Sequence, residues 1–400
     1  LAAMGAAGEW LSTDLLPRRA VDEGLVDRFG LLDPGPRGST ARWSVSGEAH
    51  RGSGRSLSRI SGYAIRYDFD LISNFTYFLD DPVNGDQFEQ ADERWIFGLG
   101  LDHRWSGHVG SVHANNAVGV DLRYDTISNG LYRTTDLVRT FTTREDDIRQ
   151  LGGGLWGETW LQLNPKVRLN LGLRADYYGA DVDAFREVNS GTADDWMLNP
   201  KASLIWSTSR STELSFNAGS GFHSNDARGA TIRIDPVTGE PVERVDPLVR
   251  ATGFDVGFRT FQRNGYHGTL TAFWLELESE LLFVGDGGTT EASRPSRRVG
   301  LEWTNFWQVS RAVAIDLDAT LTDAVFTDDD PAGDQIPGAI VSTVAAGVTV
   351  SNLGPWFGSL RLRYFSGGPL IEDGSVEWGP TVLLNGLFAY DVTKHLRLAL

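Results

Sequence analysis

The sequence predicts an all-β fold, a membrane-spanning antiparallel β-barrel, from three observations: a two-residue alternation of polar and apolar side chains, unusually long strands, and connections of two contrasting lengths. From Val167 to Tyr177 the odd positions are Val167, Leu169, Leu171, Leu173, Ala175 and Tyr177, while Arg168, Asn170, Gly172, Arg174 and Asp176 fill the even ones. Val313, Ile315, Leu317, Ala319 and Leu321 alternate likewise with Ala314, Asp316, Asp318, Thr320 and Thr322, and Phe273, Leu275, Leu277, Leu281 and Phe283 with Glu276, Glu278 and Glu280. Successive side chains of a strand point to opposite faces, so these segments are amphipathic strands. A soluble sandwich would bury the apolar face and a membrane barrel would turn it to lipid. Length separates the two. A spanning strand takes about 9 to 11 residues and a soluble one about 5 to 6; Ile65 to Tyr77, Trp95 to Trp105 and Val167 to Tyr177 belong to the longer class.

Taken in order, about sixteen strands are expected from the turn signals between them. They lie near 41–50, 58–78, 88–105, 108–126, 151–163, 167–179, 196–207, 212–221, 248–262, 266–283, 297–308, 312–326, 338–351, 355–366, 376–391 and from 394 onward. Tight turns such as Asn164-Pro165-Lys166, Thr208-Ser209-Arg210, Asn264-Gly265 and Asn352-Leu353-Gly354 close one side. Long polar stretches close the other: Asp125 to Gly154, Asp181 to Asp195, Phe222 to Asp246, Val284 to Arg297, Thr327 to Gln335 and Ser366 to Ser375. Short turns on one side and long loops on the other are the habit of bacterial outer-membrane barrels. Trp43, Trp95, Trp105, Trp156, Trp160, Trp206, Trp303, Trp307 and Trp356 lie toward strand ends, where interfacial girdles place their rings. Trp274 shares the charged parity of its strand and is expected in the lumen.

Composition agrees. An apolar fraction of 41% and a mean hydropathy of -0.23 look soluble, yet only alternate residues of a barrel strand are apolar. No apolar run of the length a spanning helix needs is present. A net charge of -17 argues against nucleic acid. With no cysteine there is neither a disulfide framework nor a thiolate metal site. The chain opens Leu1-Ala2-Ala3-Met4-Gly5 without the features of a secretion signal and stops at Leu400 within an alternating strand, so a fragment of a longer protein is expected.

Several stretches resemble TonB-dependent outer-membrane receptors: Ser12 to Val21, Gly221-Phe222-His223-Ser224-Asn225-Asp226-Ala227-Arg228-Gly229, Asp246 to Arg250, Ser279 to Asp286, Arg294 to Arg298, and Arg363-Tyr364-Phe365 followed by Pro369 to Asp373. The resemblance runs over nearly the whole chain. It implies part of a 22-stranded barrel of the bacterial outer membrane, with a closing strand, about five leading strands, the plug domain and the TonB-engaging segment outside residues 1–400. It implies a receptor that binds a scarce nutrient, a ferric siderophore or similar, and imports it with energy supplied through TonB. Its partners would be the TonB complex, outer-membrane lipid and the small ligand; no cofactor, metal or enzymatic chemistry is called for. A passive porin or channel is the alternative.

Inward residues including Arg168, Arg174, Asp176, Glu276, Glu278, Asp316, Asp318, Arg361 and Arg363 would form mixed-sign ladders, as a polar lumen requires. For ligand contact the candidate is the loop that follows the outward strand ending at Gly221. It gathers His223, Asn225, Asp226 and Arg228 within a few residues. The simpler reading of that loop, with Asn225 and Asp226 capping turns through side-chain hydrogen bonds, outweighs ligand contact. No HExxH or nucleophile-elbow spacing is present.

Overall fold

A computed structural model describes residues 1–12, 15–263, 265–284 and 289–400. Thr13, Asp14, Gly285 and Asp286 of the resembling segments, and Asn264 of an expected turn, lie outside the described residues. The chain runs through β1 (Ala2–Leu11), α1 (Arg18–Asp22), β2 (Arg37–Ser53), β3 (Ser56–Ser73), β4 (Phe88–Val109), β5 (Val112–Thr135), β6 (Val138–Asn164), β7 (Val167–Ala184), β8 (Gly191–Ser209), β9 (Thr212–Ser224), α2 (Ala227–Thr231), β10 (Leu248–Arg263) and β11 (Tyr266–Leu277). It continues through β12 (Leu281–Val284), β13 (Thr289–Ala292), β14 (Ser296–Gln308), β15 (Val313–Phe326), β16 (Ser342–Leu353), β17 (Trp356–Phe365), β18 (Gly368–Pro369), β19 (Glu377–Trp378), β20 (Thr381–Thr393) and β21 (Leu396–Ala399).

Seventeen of these strands form one antiparallel sheet in which each pairs with its neighbours in chain order, and β12–β13 and β18–β19 are small hairpins in the loops. The sheet has two edges, β1 and β21. Against the sixteen strands expected there is one more, β1, whose run Ala2-Ala3-Met4-Gly5-Ala6-Ala7-Gly8 carries too few large side chains to show a period. It pairs with β2 over its whole length.

The outer face carries the apolar band. In β4 Trp95, Phe97, Leu99, Leu101 and Trp105 are exposed, as are Leu171 and Leu173 in β7 and Trp196, Leu198, Leu204 and Trp206 in β8. Trp95 and Trp105 stand ten residues apart on one face, and so do Trp196 and Trp206. At about 3.3 Å per residue and a tilt near 40°, that spacing spans about 25 Å, the height of the apolar band between two aromatic girdles. Tyr177 meets Trp196 at 4.7 Å in the upper girdle.

Above the upper girdle the alternation changes sign. Ile127 and Leu131 of β5, Ile148 of β6, Val182 of β7 and Met197 of β8 sit on the inner face and are buried. Here the wall has water outside, so apolar side chains turn inward and make a core under the exterior loops. This explains the largest change from the expected elements. Asp125 to Gly154, expected as a long loop, is a continuous hairpin turning at Asp136 (φ 48°) and Leu137 (φ 66°). The expected loop Asp181 to Asp195 shrinks likewise, as β7 runs to Ala184 and β8 starts at Gly191. Conversely β3 stops at Ser73, where the Asn74 side-chain oxygen accepts from the Tyr77 amide at 2.9 Å. The single strand expected over 266–283 divides into β11 and the hairpin strand β12.

Register corrects the face assignments of Trp274, Phe273, Trp156 and Trp160. Trp274 pairs with Phe254 and Val299, which are exposed, and stacks on Phe254 at 5.2 Å, so it lies on the outer face and not in the lumen. Phe273 faces inward with Asp255 beside it, its ring over Gly300. Trp156 and Trp160 share the parity of the inner residue Glu158 and so belong to the lumen rather than the girdle.

Candidate functional site

Residues two apart on a strand share a face, about 6.6 Å from each other. The inner wall uses this spacing repeatedly to pair a guanidinium with a carboxylate of its own strand: Arg123 with Asp125 at 2.8 Å, Arg174 with Asp176 at 2.7 Å, Arg94 with Asp92, and Arg144 with Asp146. An Arg-x-Asp or Asp-x-Arg spacing within a strand is visible in the sequence. Only Arg174 and Asp176 of these are named there, because the rest fall in stretches expected as loops or lie beyond the alternating segments.

A second device reaches over a whole strand. Arg174 of β7 donates to Asp121 of β5 at 2.7 Å across Gly154 of β6. Lys201 of β8 reaches Glu158 of β6 at 2.7 Å across Gly172 of β7, and Arg361 of β17 reaches Asp316 of β15 at 2.8 Å across Gly347 of β16. In each case a Cβ on the intervening glycine would collide with the bridging side chain. Alternate strands lie about 9.6 Å apart, within reach of Arg or Lys only if nothing stands between. The expected ladder residues Arg168, Arg174, Asp176, Asp316 and Arg361 are therefore paired on the inner wall, Arg168 with Glu213 at 2.7 Å. Glu276 shares the outer face of Trp274 in the unbroken register of β11, so it does not face the lumen as expected, and Glu278 lies just past the end of that strand. The Trp156 indole N–H donates to Asp121 at 3.1 Å.

The loop after β9 folds inward. Asn225 donates its backbone N–H to Pro247 O at 3.0 Å and its side-chain amide to Asp246 O at 2.8 Å, closing both ends of the loop on each other. Asp226 caps α2 by accepting from the Arg228 amide at 2.9 Å, and its carboxylate also receives the Arg228 guanidinium at 3.0 and 2.6 Å. Arg228 reaches on to the side-chain oxygen of Asn129, whose amide donates to Asp92 at 3.0 Å. Burial works to raise the Asp226 carboxyl, but the adjacent Arg228 guanidinium outweighs it and holds the group at about 2. Burial works to lower Arg228, and Asp226 raises it above the ordinary guanidinium value. Ala227, Ala230, Ile232 and Val245 are buried around this knot. Asn189 clasps the loop from the β7–β8 side, its side-chain oxygen accepting from the Arg233 and Ile234 amides at 2.9 and 3.0 Å.

Of the four candidate residues, then, Asn225, Asp226 and Arg228 come together as the fold of the loop itself. His223 stands apart on β9 beside Val249, and its buried Nε2 meets no hydrogen-bond partner among the described residues. Asn129 and Asn189 belong to the same construction, and nothing in their local spacing announces it. Farther round the rim, Arg294 holds Asp328 at 2.5 Å and lies 4.3 Å from the centre of the Phe326 ring, which ties two further loops together.

Below α2 the inner wall is recessed. A cavity of about 430 Å³ runs from β3 to β7, and Phe222, Ser224 and Leu248 reach over it. Glycines at inward positions of β4 and β6, Gly100, Gly152 and Gly154, leave the recess open, with Arg123 and Asp125 of β5 between them.

Among solved structures the chain is similar to the ferric citrate transporter FecA in its unliganded form, with a TM-score of 0.78 at 14% identity over 96% of this chain and 58% of that one. It is also similar to the copper transporter OprC, at 0.72 and 16% over 91% of this chain and 61% of that one. The siderophore receptor PiuA from Acinetobacter baumannii matches at 0.70 and 12%, over 91% and 60%. These likenesses show a shared fold, and the chain spans about six tenths of each protein's length. No curated protein matches the sequence. The family model described as TonB dependent receptor-like, beta-barrel matches residues 11–400, and the chain belongs to that family.

Proposed function

We propose that the whole protein of which this chain forms the wall is an outer-membrane receptor that captures a scarce nutrient and imports it with energy supplied through TonB. The observation that carries this reading is the inward fold of the β9–β10 loop onto the inner wall, where Asp226 and Arg228 join the Asn129–Asp92 line of charges. A receptor gains a shaped, rigid surface on which a ligand and a gating domain can act. The same reading gives the inner-wall charges a role, since a polar plug moving against a wall of Arg–carboxylate pairs exchanges hydrogen bonds without exposing apolar surface. Binding and transport of this kind need no covalent chemistry. That PiuA is a siderophore receptor and FecA a ferric citrate transporter supports nutrient uptake as the role of this fold.

The test is growth of a strain lacking the whole gene under iron limitation and under limitation for other scarce nutrients, in backgrounds with and without TonB. The expected result is a defect under one limitation that complementation cures only when TonB is present. Normal growth under every limitation, or rescue that ignores TonB, sinks the reading and leaves a passive channel.

A further inference from the structure

The recess below α2 is floored by glycine where its neighbours carry side chains. A Cβ placed on Gly152 meets nothing within 4 Å, so the space above that residue is open. Aromatic groups bound it: the Tyr63 ring lies over Gly98, and Phe222 and Tyr178 line it from β9 and β7. Tyr178 is only 8% exposed, and its hydroxyl meets no hydrogen-bond partner among the described residues. An orphaned buried hydroxyl is costly and unusual unless a ligand or ordered water completes it.

The charges around the recess cancel closely. Arg123 and Arg174 face Asp121, Asp125 and Asp176, and each guanidinium is already bonded to a carboxylate. A free anion entering here would meet three carboxylates, and a free cation two guanidiniums. What the wall offers is an alternation of leftover N–H donors and carboxylate lone pairs at fixed positions. Hydroxyl groups, each both donor and acceptor, match that alternation without adding charge. Flat aromatic faces beside the polar groups suit a ring that is apolar on its C–H face and polar at its edge.

We infer that this glycine-floored recess is a binding subsite for an uncharged polyhydroxylated ring, a neutral saccharide. The inference rests on the receptor reading and makes its ligand class specific. Ring hydroxyls bond the Arg123–Asp125 and Arg174–Asp121 pairs, and the ring lies against Tyr63 or Phe222. The Tyr178 hydroxyl gains the partner it lacks.

The experiment uses the full-length receptor in detergent, titrated by calorimetry with neutral gluco-, xylo- and galacto-oligosaccharides, with their uronate counterparts as charged controls. Gly152→Leu puts a side chain into the recess at a position where a Cβ meets nothing within 4 Å. Tyr178→Phe removes only the orphaned hydroxyl, and a thermal melt of each variant checks its fold. One neutral series is expected to bind, with at least about tenfold weakening in Gly152→Leu and about fivefold in Tyr178→Phe. Absence of binding by every neutral series, tighter binding of the uronates, or unchanged affinity in a folded Gly152→Leu overturns the subsite. Those results leave the receptor reading standing if the deletion strain still shows its TonB-dependent growth defect. Loss of that defect removes the receptor reading whatever the titrations show.

Discussion

Removing the Asp226 carboxylate strips the buried Arg228 guanidinium of the group that compensates it. Stranding a buried charge typically costs about 3–5 kcal/mol, whereas replacing both partners with apolar groups of similar size is close to neutral. Asp226→Ala should therefore loosen residues 225–247, seen as faster hydrogen exchange and proteolysis there, and the pair Asp226→Leu with Arg228→Met should restore protection. If the double variant is as labile as the single one, the pair is not what holds the loop. The same carboxyl gives a pH dependence. Its folded value of about 2 lies below the ordinary carboxylate value, so its stabilisation is present above about pH 4 and is lost as pH falls through about 2. Exchange in the loop should rise over that interval in the native protein and stay flat in the double variant. Asn225, Asp226 and Arg228 were legible as a cluster because they are adjacent in sequence, whereas His223, expected with them, stands apart on β9. Asn129 was not, because its contact with Arg228 spans 99 residues.

At the scale of the strand, the inner glycines are spacers and not hinges. Gly347 lies under the Arg361–Asp316 bridge, and a Cβ there would collide with both side chains. Gly347→Val should break the bridge by overpacking, at a cost of about 1–3 kcal/mol, measured by unfolding of the detergent-solubilised barrel. Gly386 has nothing within 4 Å of its Cβ and serves as the control, since valine there should be neutral. Equal losses at the two sites would mean that β-propensity, and not the bridge, decides. Strand periodicity was readable wherever lipid lies outside and water inside. It disappeared from the reading between Asp125 and Gly154 because water lies on the outer side there, and the apolar side chains Ile127, Leu131 and Ile148 had turned inward.

Over the whole molecule the decisive quantity is the apolar band between the girdles. Leu171 stands on the outer face near mid-height of β7, between the level of Trp206 and that of Trp196. Leu171→Arg should cost about 2–4 kcal/mol in a bilayer, falling toward zero for arginine placed at the girdles. Equilibrium folding into vesicles measures it, and a cost independent of depth would argue that this face does not meet lipid.

The amino-acid order by itself determined that Val167 to Tyr177 and Val313 to Thr322 are two-faced strands, that tight turns alternate with longer connections, and that the family is the TonB-dependent one. The strands and turns depend on spacing along the chain, and the family on the resemblance of short segments such as Gly221 to Gly229. Which face looks where was decided only by tertiary structure, because one strand's period is symmetric under exchange of inside and outside. Phe273 and Trp274 show it: alternation put the phenylalanine outside and the tryptophan in the lumen, and pairing with Phe254, Asp255, Val299 and Gly300 reversed them. The recess at Gly152 likewise exists only between strands, where glycines of β4 and β6 flank the charged ridge of β5.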